Sequence, residues 1–420
     1  MDKILVYGGH GKLRGTVKIS GSKNSALPIL AATLLTKETC VIHRVPDLSD
    51  IHYMLQILTC LGCEVERASG TVTVRAEKIQ TLAPYEVVRR MRASVCVMGP
   101  LLGREKEATV SLPGGCVIGD RPIDLHLRGF EALGAMVRVE SGYVKVFASQ
   151  PRGAVVDMKG KFGSTVLGTD NVMMAAVLAD GVTVIEGAAQ EPEVVDLANF
   201  LIKMGAKIEG AGTARIIIEG VPELHGTEHA VIPDRIEAGT FMIAAAMAGD
   251  KVRVQRVVPE HLQSITDAIR AGGYVVETDQ DSVTISRNGQ VYPVDLTTEP
   301  YPGFPTDMQA QMCALMSITH GRSRITDQVF PQRFMHVAEL KRMGATIDLE
   351  QSTAHISGVD NLSAAPVMAS DLRASAALVL AGLQAVGITE VNRVYHIDRG
   401  YEHIDEKLID LGAHIERVKA

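Results

Sequence analysis

The chain has 420 residues, of which 46% are hydrophobic and 22% are charged, and its formal net charge is −7 at neutral pH. This negative charge argues against nucleic acid as the main partner, because phosphate backbones are bound by basic surfaces. No apolar run is as long as the stretch of about 20 residues that is needed to span a bilayer. We therefore expect a protein that binds neither a membrane nor nucleic acid, and its six cysteines, which show no disulfide spacing, predict a reducing cytoplasm.

One pattern recurs six times along the chain, and we number its copies as repeats one to six. Each copy contains an apolar helix, a β-branched strand and an amphipathic helix that closes at a glycine. These glycines are Gly62, Gly134, Gly205, Gly272, Gly344 and Gly412. Recurrence at intervals of 67 to 72 residues indicates a repeat architecture. A closing glycine suits the left-handed C-terminal cap of a helix.

The elements of each repeat follow one order. The apolar helices are predicted over 22–35, 92–102, 169–179, 237–248, 306–318 and 371–383. Their all-round hydrophobicity is typical of buried helices. The strands that follow are predicted over 39–43, 108–112, 182–186, 251–255, 324–327 and 388–392. Alternating strands such as 64–67 and 71–75 complete a β-α-β-α-β-β repeat, which cannot bury its own apolar helix alone.

The ends of the chain complement each other. Repeat six ends at 414–418 without its closing strand, whereas 3–9 is a strand without a repeat. We therefore expect residues 1–21 to pair into the C-terminal half. The repeats then divide into two domains of three repeats each.

The predicted domains are 22–232, and 1–21 together with 233–420. The chain would cross between them near 20–22 and 232–234, which forms a hinge over one cleft where ligands commonly bind. A continuous solenoid is the alternative, and it is less favoured because 420 residues exceed what one core usually holds.

Basic side chains occur at equivalent points of the repeats. Arg92 and Arg373 begin the apolar helices of repeats two and six, and Lys23 and Asn24 lie near the matching point of repeat one. Ordinary charged caps are the alternative, but a cation opposes the dipole of a helix N-terminus and needs another reason. Further arginines lie in loops before the amphipathic helices: Arg121, Arg333 and Arg399. If these cations converge, they predict a ligand with several negative charges.

The loop of repeat two differs from its counterparts, because three glycines surround Cys116 within residues 111–122. Such a loop favours a mobile tip with a reactive group, and nearby cations would lower the pKa of the thiol below about 8.5. A glycine-rich turn with an incidental cysteine is the alternative.

The chain resembles the UDP-N-acetylglucosamine 1-carboxyvinyltransferases, the MurA-type enolpyruvyl transferase family, along its whole length. The strings that carry this resemblance are SLPGGCVIGDRPIDLH, GSKNSALP, MRAS, FPTDMQAQ, RFMHVAEL, DLRASAALVLAG and HIDRGYE. The resemblance implies two pseudo-symmetric, inside-out α/β barrel domains of three repeats each. It also implies transfer of the enolpyruvyl group of phosphoenolpyruvate to the 3′-hydroxyl of UDP-N-acetylglucosamine, with release of phosphate, at the first committed step of peptidoglycan synthesis.

The resemblance also implies roles for three residues in an addition–elimination reaction. Cys116 would donate a proton to the enol methylene, form an adduct with phosphoenolpyruvate and be the target of fosfomycin. Lys23 would be a catalytic cation. Asp307 would face the sugar hydroxyl, either as a base with a raised pKa or as an orienting group, and the sequence leaves this choice open.

The same resemblance assigns two sets of binding residues. Those for phosphoenolpyruvate are Lys23, Asn24, Arg121, Arg373 and Arg399, with Arg333 as a neighbour. Those for UDP-N-acetylglucosamine are Arg92, Arg121, Pro122, Ile123, Asp124, Leu125, Asp307 and Val329. The chain departs from many relatives over 161–169, where it has additional residues, so we assign no diphosphate contacts there.

Other motifs and functions are set aside. The Cys60 and Cys63 pair is a lone CxxC and is interpreted as packing. His396 and His403 lack further ligands at metal spacing, so we expect neither a metal nor a cofactor. A sister enzyme acting on shikimate 3-phosphate would lack the PGGC and RPIDLH strings. An inactive scaffold that only binds nucleotide sugars is the third alternative.

Overall fold

The computed structural model describes residues 2–9, 12–112, 123–161, 163–287 and 289–419. The described residues cluster into two compact units, one made of 21–112 and 123–232, and the other of residues up to 20 together with 233–419. We call them the 21–232 unit and the 233–419 unit. Each has its own hydrophobic core.

The apolar helices form the centres of these cores. Their bounds are Lys23–Ala32, Met98–Glu105, Val166–Ala176, Arg235–Ala248, Gln309–Ser317 and Leu372–Gln384. In repeat four every residue from Ile236 to Ala248 is buried, as expected for a helix that is apolar on all sides. Short 3₁₀ turns adjoin three of these helices, at Thr33–Leu35, Arg92–Val97 and Thr306–Met308.

Two helices begin at other residues than predicted, one of them because of a local cap. The helix of repeat three begins at Val166 rather than at Thr169, because the Thr165 side chain accepts a hydrogen bond from Gly168 N and caps the helix there. In repeat two Arg92 begins a 3₁₀ turn, and the α-helix starts only at Met98.

The amphipathic helices have the bounds Ser49–Cys60, Asp124–Ala132, Pro192–Lys203, Gln263–Ala271, Met335–Arg342 and Ile404–Asp410. In five repeats the predicted glycine follows the helix with a positive φ. Repeat four is the exception, because Gly272 has a φ of −72° and the left-handed residue is Gly273, with a φ of 86°. Other short helical segments are Tyr85–Val88, Pro259–Leu262 and Val394–Arg399.

Each sheet has three antiparallel strands, which come from one repeat in repeats one to five, and a parallel strand extends the sheet at one edge. In the 21–232 unit the sheet orders are Glu228–Ala230, Thr39–His43, Thr71–Arg75, Glu64–Ala68; then Leu82–Ala83, Glu107–Ser111, Tyr143–Phe147, Met136–Glu140; then Val155–Asp157, Val182–Glu186, Arg215–Glu219, Lys207–Glu209. A hairpin of Lys159–Gly160 and Gly163–Ser164 is separate.

The sheets of the 233–419 unit follow the same plan. Their orders are Leu13–Lys18, Gly249–Gln255, Ser282–Arg287, Tyr274–Asp279; then Leu296–Thr298, Arg322–Asp327, Thr353–Ser357, Thr346–Glu350; then Pro366–Met368, Ala385–Asn392, Lys3–Gly8, Ile415–Val418. Leu362–Ser363 also pairs with Ala385–Asn392. The strand missing from repeat six is therefore supplied by the N-terminus, with Lys3 opposite Val418.

In each unit a parallel edge strand pairs two segments that are far apart in the sequence. Glu228–Ala230 runs parallel to Thr39–His43 in one unit, and Leu13–Lys18 runs parallel to Gly249–Gln255 in the other. Among the described residues, no helix has both the length and the apolar character needed to cross a bilayer.

Candidate functional site

Asp307 pairs with two arginines in the 233–419 unit. Its Oδ1 accepts a hydrogen bond from Arg333 NH1 at 2.6 Å, and its Oδ2 accepts from Arg373 Nε and NH2, both at 3.1 Å. The side chains of Arg333 and Arg373 are only 9% and 2% exposed. Three of the predicted site residues and neighbours thus form one charged cluster.

The helix start places Arg373 in this cluster. The Asp371 side chain caps helix Leu372–Gln384 by accepting hydrogen bonds from Arg373 N and Ala374 N, at 2.9 and 3.1 Å. The cap holds the first turn of this helix in place, and the guanidinium group of Arg373 extends from that turn to Asp307.

A buried polar platform supports Arg373 from the other side. The guanidinium carbon lies 5.1 Å from the ring centroid of Tyr401, close enough for a cation–π interaction. The Tyr401 hydroxyl lies 2.9 Å from Thr240 Oγ1 and accepts from Gln311 Nε2 at 3.2 Å. Gln311 Nε2 also donates to the backbone oxygen of Asp307 at 3.0 Å. The platform therefore holds both members of the ion pair.

The electrostatics keep both arginines charged. Burial would lower the pKa of Arg373, but Tyr401 and Asp307 outweigh it, so that the pKa is raised. The pKa of Arg333 is also raised, because Asp307 and Asp371 outweigh burial. Arg373 NH1 is buried without a hydrogen-bond partner among the described residues, and such a donor is costly unless a ligand satisfies it.

Asp327 connects Val329 to this cluster, although the sequence did not single it out. Its buried carboxylate accepts from Val329 N at 3.0 Å and from Thr306 Oγ1 at 2.6 Å. Since Thr306 precedes Asp307, the loop with Val329 is attached to the turn with Asp307. Arg399 ends the 3₁₀ segment Val394–Arg399 and is half-buried.

Lys23 lies in the 21–232 unit. It is the first residue of helix Lys23–Ala32, which Ser22 caps, and its Nζ lies 3.5 Å from Asp50 Oδ2. The two side chains are 12% and 4% exposed. Asn24 is half-buried beside it.

A buried carboxylate anchors this helix start. Asp196 Oδ2 accepts hydrogen bonds from Ser25 Oγ and, at 3.1 Å, from Ile232 N, while Oδ1 lies 2.9 Å from His229 Nε2. The segment that begins with Lys23 is therefore attached to residues 229–232. Neither Asp196 nor His229 belongs to a string that carried the resemblance, so sequence reasoning missed both.

The predicted nucleotide-sugar residues of this unit lie in two segments. Arg92 is half-buried at the start of its 3₁₀ turn. Ile123 is 8% exposed and precedes helix Asp124–Ala132, in which Asp124 is exposed and Leu125 is half-buried. Cys116, Arg121 and Pro122 lie outside the described residues.

The cysteines of the described residues differ in burial. Burial raises the pKa of Cys40 to about 11 and that of Cys63 to about 12, whereas Cys60 is exposed. Within the described parts of the chain, no group of three or more His, Cys, Asp and Glu residues is arranged to hold a metal ion.

Comparison with known proteins gives consistent matches. Residues 8–408 match the EPSP synthase (3-phosphoshikimate 1-carboxyvinyltransferase) family. The chain is 60% identical to the UDP-N-acetylglucosamine 1-carboxyvinyltransferase of Akkermansia muciniphila, covering 100% of this chain and 99% of that relative. It is 57% identical to the protein of that name from Methylacidiphilum infernorum, with the same coverage.

Two solved structures share the fold. The enolpyruvyl transferase NikO from Streptomyces tendae has a TM-score of 0.90 at 24% identity, covering 100% of this chain and 99% of that one. An EPSP synthase from Acinetobacter baumannii has a TM-score of 0.79 at 16% identity, covering 100% of both chains. These likenesses confirm the predicted α/β fold class.

Proposed function

The chain belongs to the EPSP synthase (3-phosphoshikimate 1-carboxyvinyltransferase) family, and we propose that it transfers the enolpyruvyl group of phosphoenolpyruvate to the 3′-hydroxyl of UDP-N-acetylglucosamine. It is a transferase, because full-length relatives at 57% and 60% identity are UDP-N-acetylglucosamine 1-carboxyvinyltransferases. That similarity is the observation that carries the choice of acceptor. The reaction begins the committed synthesis of peptidoglycan.

The chemistry is an addition followed by an elimination. The 3′-hydroxyl loses its proton to solvent as its oxygen forms a bond to C2 of phosphoenolpyruvate, and the methylene carbon takes up a proton. The methyl group then loses a proton to solvent, its C–H electrons reform the double bond to C2, and the bond between C2 and the phosphate oxygen breaks as phosphate leaves. We assign the proton donation to Cys116 on the basis of the family resemblance.

Asp307 is suited to orient the acceptor hydroxyl. Arg333 and Arg373 contact its two oxygens, and adjacent guanidinium groups stabilise an ionised carboxylate. Such a carboxylate can accept a hydrogen bond from the 3′-hydroxyl and direct the oxygen towards C2. Of the two roles that the sequence left open, this geometry favours orientation.

We propose that Lys23, Asn24, Arg121, Arg373 and Arg399 bind phosphoenolpyruvate. The buried NH1 of Arg373, which has no hydrogen-bond partner among the described residues, supports this assignment because a phosphate or carboxylate oxygen would satisfy it. Lys23 belongs to one unit and Arg373 to the other.

For the nucleotide sugar we propose Arg92, the segment 121–125, Asp307 and Val329. The arginine and proline of that segment would enclose the flat uracil, and Asp124 would accept its N–H. Both substrates are small anionic molecules. We place the reaction in the cytoplasm, in agreement with the free cysteines among the described residues.

The decisive experiment measures phosphate release from phosphoenolpyruvate with either UDP-N-acetylglucosamine or shikimate 3-phosphate as acceptor. We expect release with the nucleotide sugar only. Release with shikimate 3-phosphate alone would identify the sister activity. Calorimetric binding of the nucleotide sugar without phosphate release would identify an inactive scaffold, and either result would overturn the proposal.

A further inference from the structure

Asn171 joins three segments of the 21–232 unit. It lies in helix Val166–Ala176 and is fully buried. Its Oδ1 accepts a hydrogen bond from Gly99 N at 2.8 Å, and its Nδ2 donates to Val95 O at 3.0 Å. Nδ2 also lies 2.8 Å from His126 Nδ1. One side chain therefore contacts the repeat-two helix and the helix that begins at Asp124.

The backbone partners determine how the Asn171 amide is oriented. Gly99 N–H can only donate, so the atom facing it must be the amide oxygen. Val95 O can only accept, so the atom facing it must be the amide nitrogen. A flip of the amide would break both hydrogen bonds. The second hydrogen of Nδ2 is consequently directed at His126 Nδ1.

This orientation also determines the form of His126. Because Nδ1 receives a hydrogen from Asn171, it must carry a lone pair rather than a proton. His126, which is 4% exposed, is therefore a neutral imidazole with its hydrogen on Nε2. A partner that fixes one ring nitrogen fixes the role of the other.

The three segments are those of the proposed nucleotide-sugar site. Val95 lies in the same 3₁₀ turn as Arg92, and His126 follows Asp124 and Leu125 directly. The helices also approach closely, since a Cβ atom on Gly99 would lie 2.2 Å from Asn171 O. A side chain of another length at position 171 would change the spacing between these segments.

We infer that Asn171 is a positioning residue for nucleotide-sugar binding, which holds His126 as the Nε2–H tautomer and fixes the Asp124 helix against the segment of Arg92. This inference rests on the proposed function for its substrate. Its structural part, the His126 tautomer, does not depend on that function.

The first test is nitrogen NMR of the ¹⁵N-histidine-labelled full chain, with His126→Gln identifying the His126 signals. We expect a protonated Nε2 and an unprotonated Nδ1. In Asn171→Asp the residue at this position can only accept, so His126 should move its hydrogen to Nδ1 or become an imidazolium. A wild-type His126 with its hydrogen on Nδ1, or a signal unchanged in Asn171→Asp, would overturn the inference.

The second test is kinetic. We expect Asn171→Asp and Asn171→Ala to raise KM for UDP-N-acetylglucosamine about tenfold, because buried hydrogen-bonding groups lose their partners, with KM for phosphoenolpyruvate changing less than about twofold. Ile216→Val is the control, since Ile216 is fully buried in the same unit and contacts none of the hydrogen-bonded atoms described above. Equal changes in both KM values, or none in a folded Asn171→Ala, would contradict a positioning role.

The two tests separate the possible failures. If the wild-type enzyme does not turn over UDP-N-acetylglucosamine, the proposed function fails while the tautomer measurement still decides the structural part. If turnover is normal and the tautomer differs, only the role of Asn171 fails.

Discussion

Arg373 binds Asp307 through two nitrogens, Nε and NH2, which both donate to Oδ2 at 3.1 Å. The two residues are 66 positions apart in the sequence and meet because their helix starts are adjacent in the fold. With Arg333 on the other oxygen, two cations surround one anion. Arg373 NH1, which is buried without a hydrogen-bond partner among the described residues, favours an anionic ligand.

Asp307→Asn should reduce kcat by about 100-fold or more. The acceptor hydroxyl loses the negative charge that orients it, and two guanidinium groups lose their carboxylate partner. Steady-state phosphate release measures this effect. Asp295→Asn is the matched control, since Asp295 pairs with Arg324 in the same unit outside the proposed site. A kcat for Asp307→Asn within twofold of the wild type would remove Asp307 from the reaction.

Tyr401→Phe should raise KM for phosphoenolpyruvate by about fivefold, because the ring under Arg373 is retained while the hydrogen bonds to Thr240 and Gln311 are lost. The free energy of unfolding should fall by about 1–2 kcal/mol, as measured by urea denaturation. Tyr395→Phe is the control, because Tyr395 is exposed. If both variants behave alike, the buried platform does not support the site.

Arg399→Ala and Arg92→Ala should each weaken the binding of a different substrate. Loss of a charge-assisted hydrogen bond costs about 10-fold or more in affinity, so Arg399→Ala should raise KM for phosphoenolpyruvate and Arg92→Ala should raise KM for the nucleotide sugar. Both KM values are measured for each variant. A parallel rise of both in either variant would contradict the assignment of that arginine.

Cys116→Ser should abolish turnover but leave UDP-N-acetylglucosamine binding, measured by calorimetry, nearly unchanged. Fosfomycin should alkylate Cys116 and spare Cys40 and Cys63, because burial raises the pKa of those thiols to about 11 and about 12 and the thiolate is the nucleophile. Peptide mass spectrometry locates the adduct. The exposed Cys60 is an internal control, and modification there alone would refute this prediction.

His336 should make stability depend on pH. Burial lowers the pKa of His336 from 6.5 to about 4. The negative charge of Asp371 opposes this shift, and the positive charge of Arg333 adds to it. Between these values the unfolded state binds more protons than the folded state, so the free energy of unfolding should fall as the pH drops below 6.5. The expected loss from this group is about 2 kcal/mol between pH 7.5 and pH 5.

Denaturation of wild type and His336→Asn at both pH values checks this prediction. Because other groups titrate in both proteins, the difference between the two pH dependences isolates His336. The loss of unfolding free energy that His336 causes should be absent above pH 6.5 and should increase as the pH falls towards 4. Identical pH dependences would show that His336 does not carry the effect.

The sequence by itself determined the repeated elements, the α/β fold class and the family. Hydrophobic periodicity and turn glycines are local properties, so the strands Thr39–His43 and Val182–Glu186 were predicted at their exact bounds. Errors occurred where capping decides the boundary, as at Thr165 and Gly273, because a cap depends on one side chain or one φ angle. The quoted strings, which are also local, were sufficient to indicate the family.

Only the tertiary structure decided which side chains meet. Asp307 with Arg373, Tyr401 with Thr240, and Asn171 with His126 are pairs from distant parts of the chain, and no local pattern encodes their distances. Their contacts depend on how buried helices pack and on which backbone groups the caps leave available. Periodicity tells which face of an element is buried, but packing of the whole fold sets where each polar atom points.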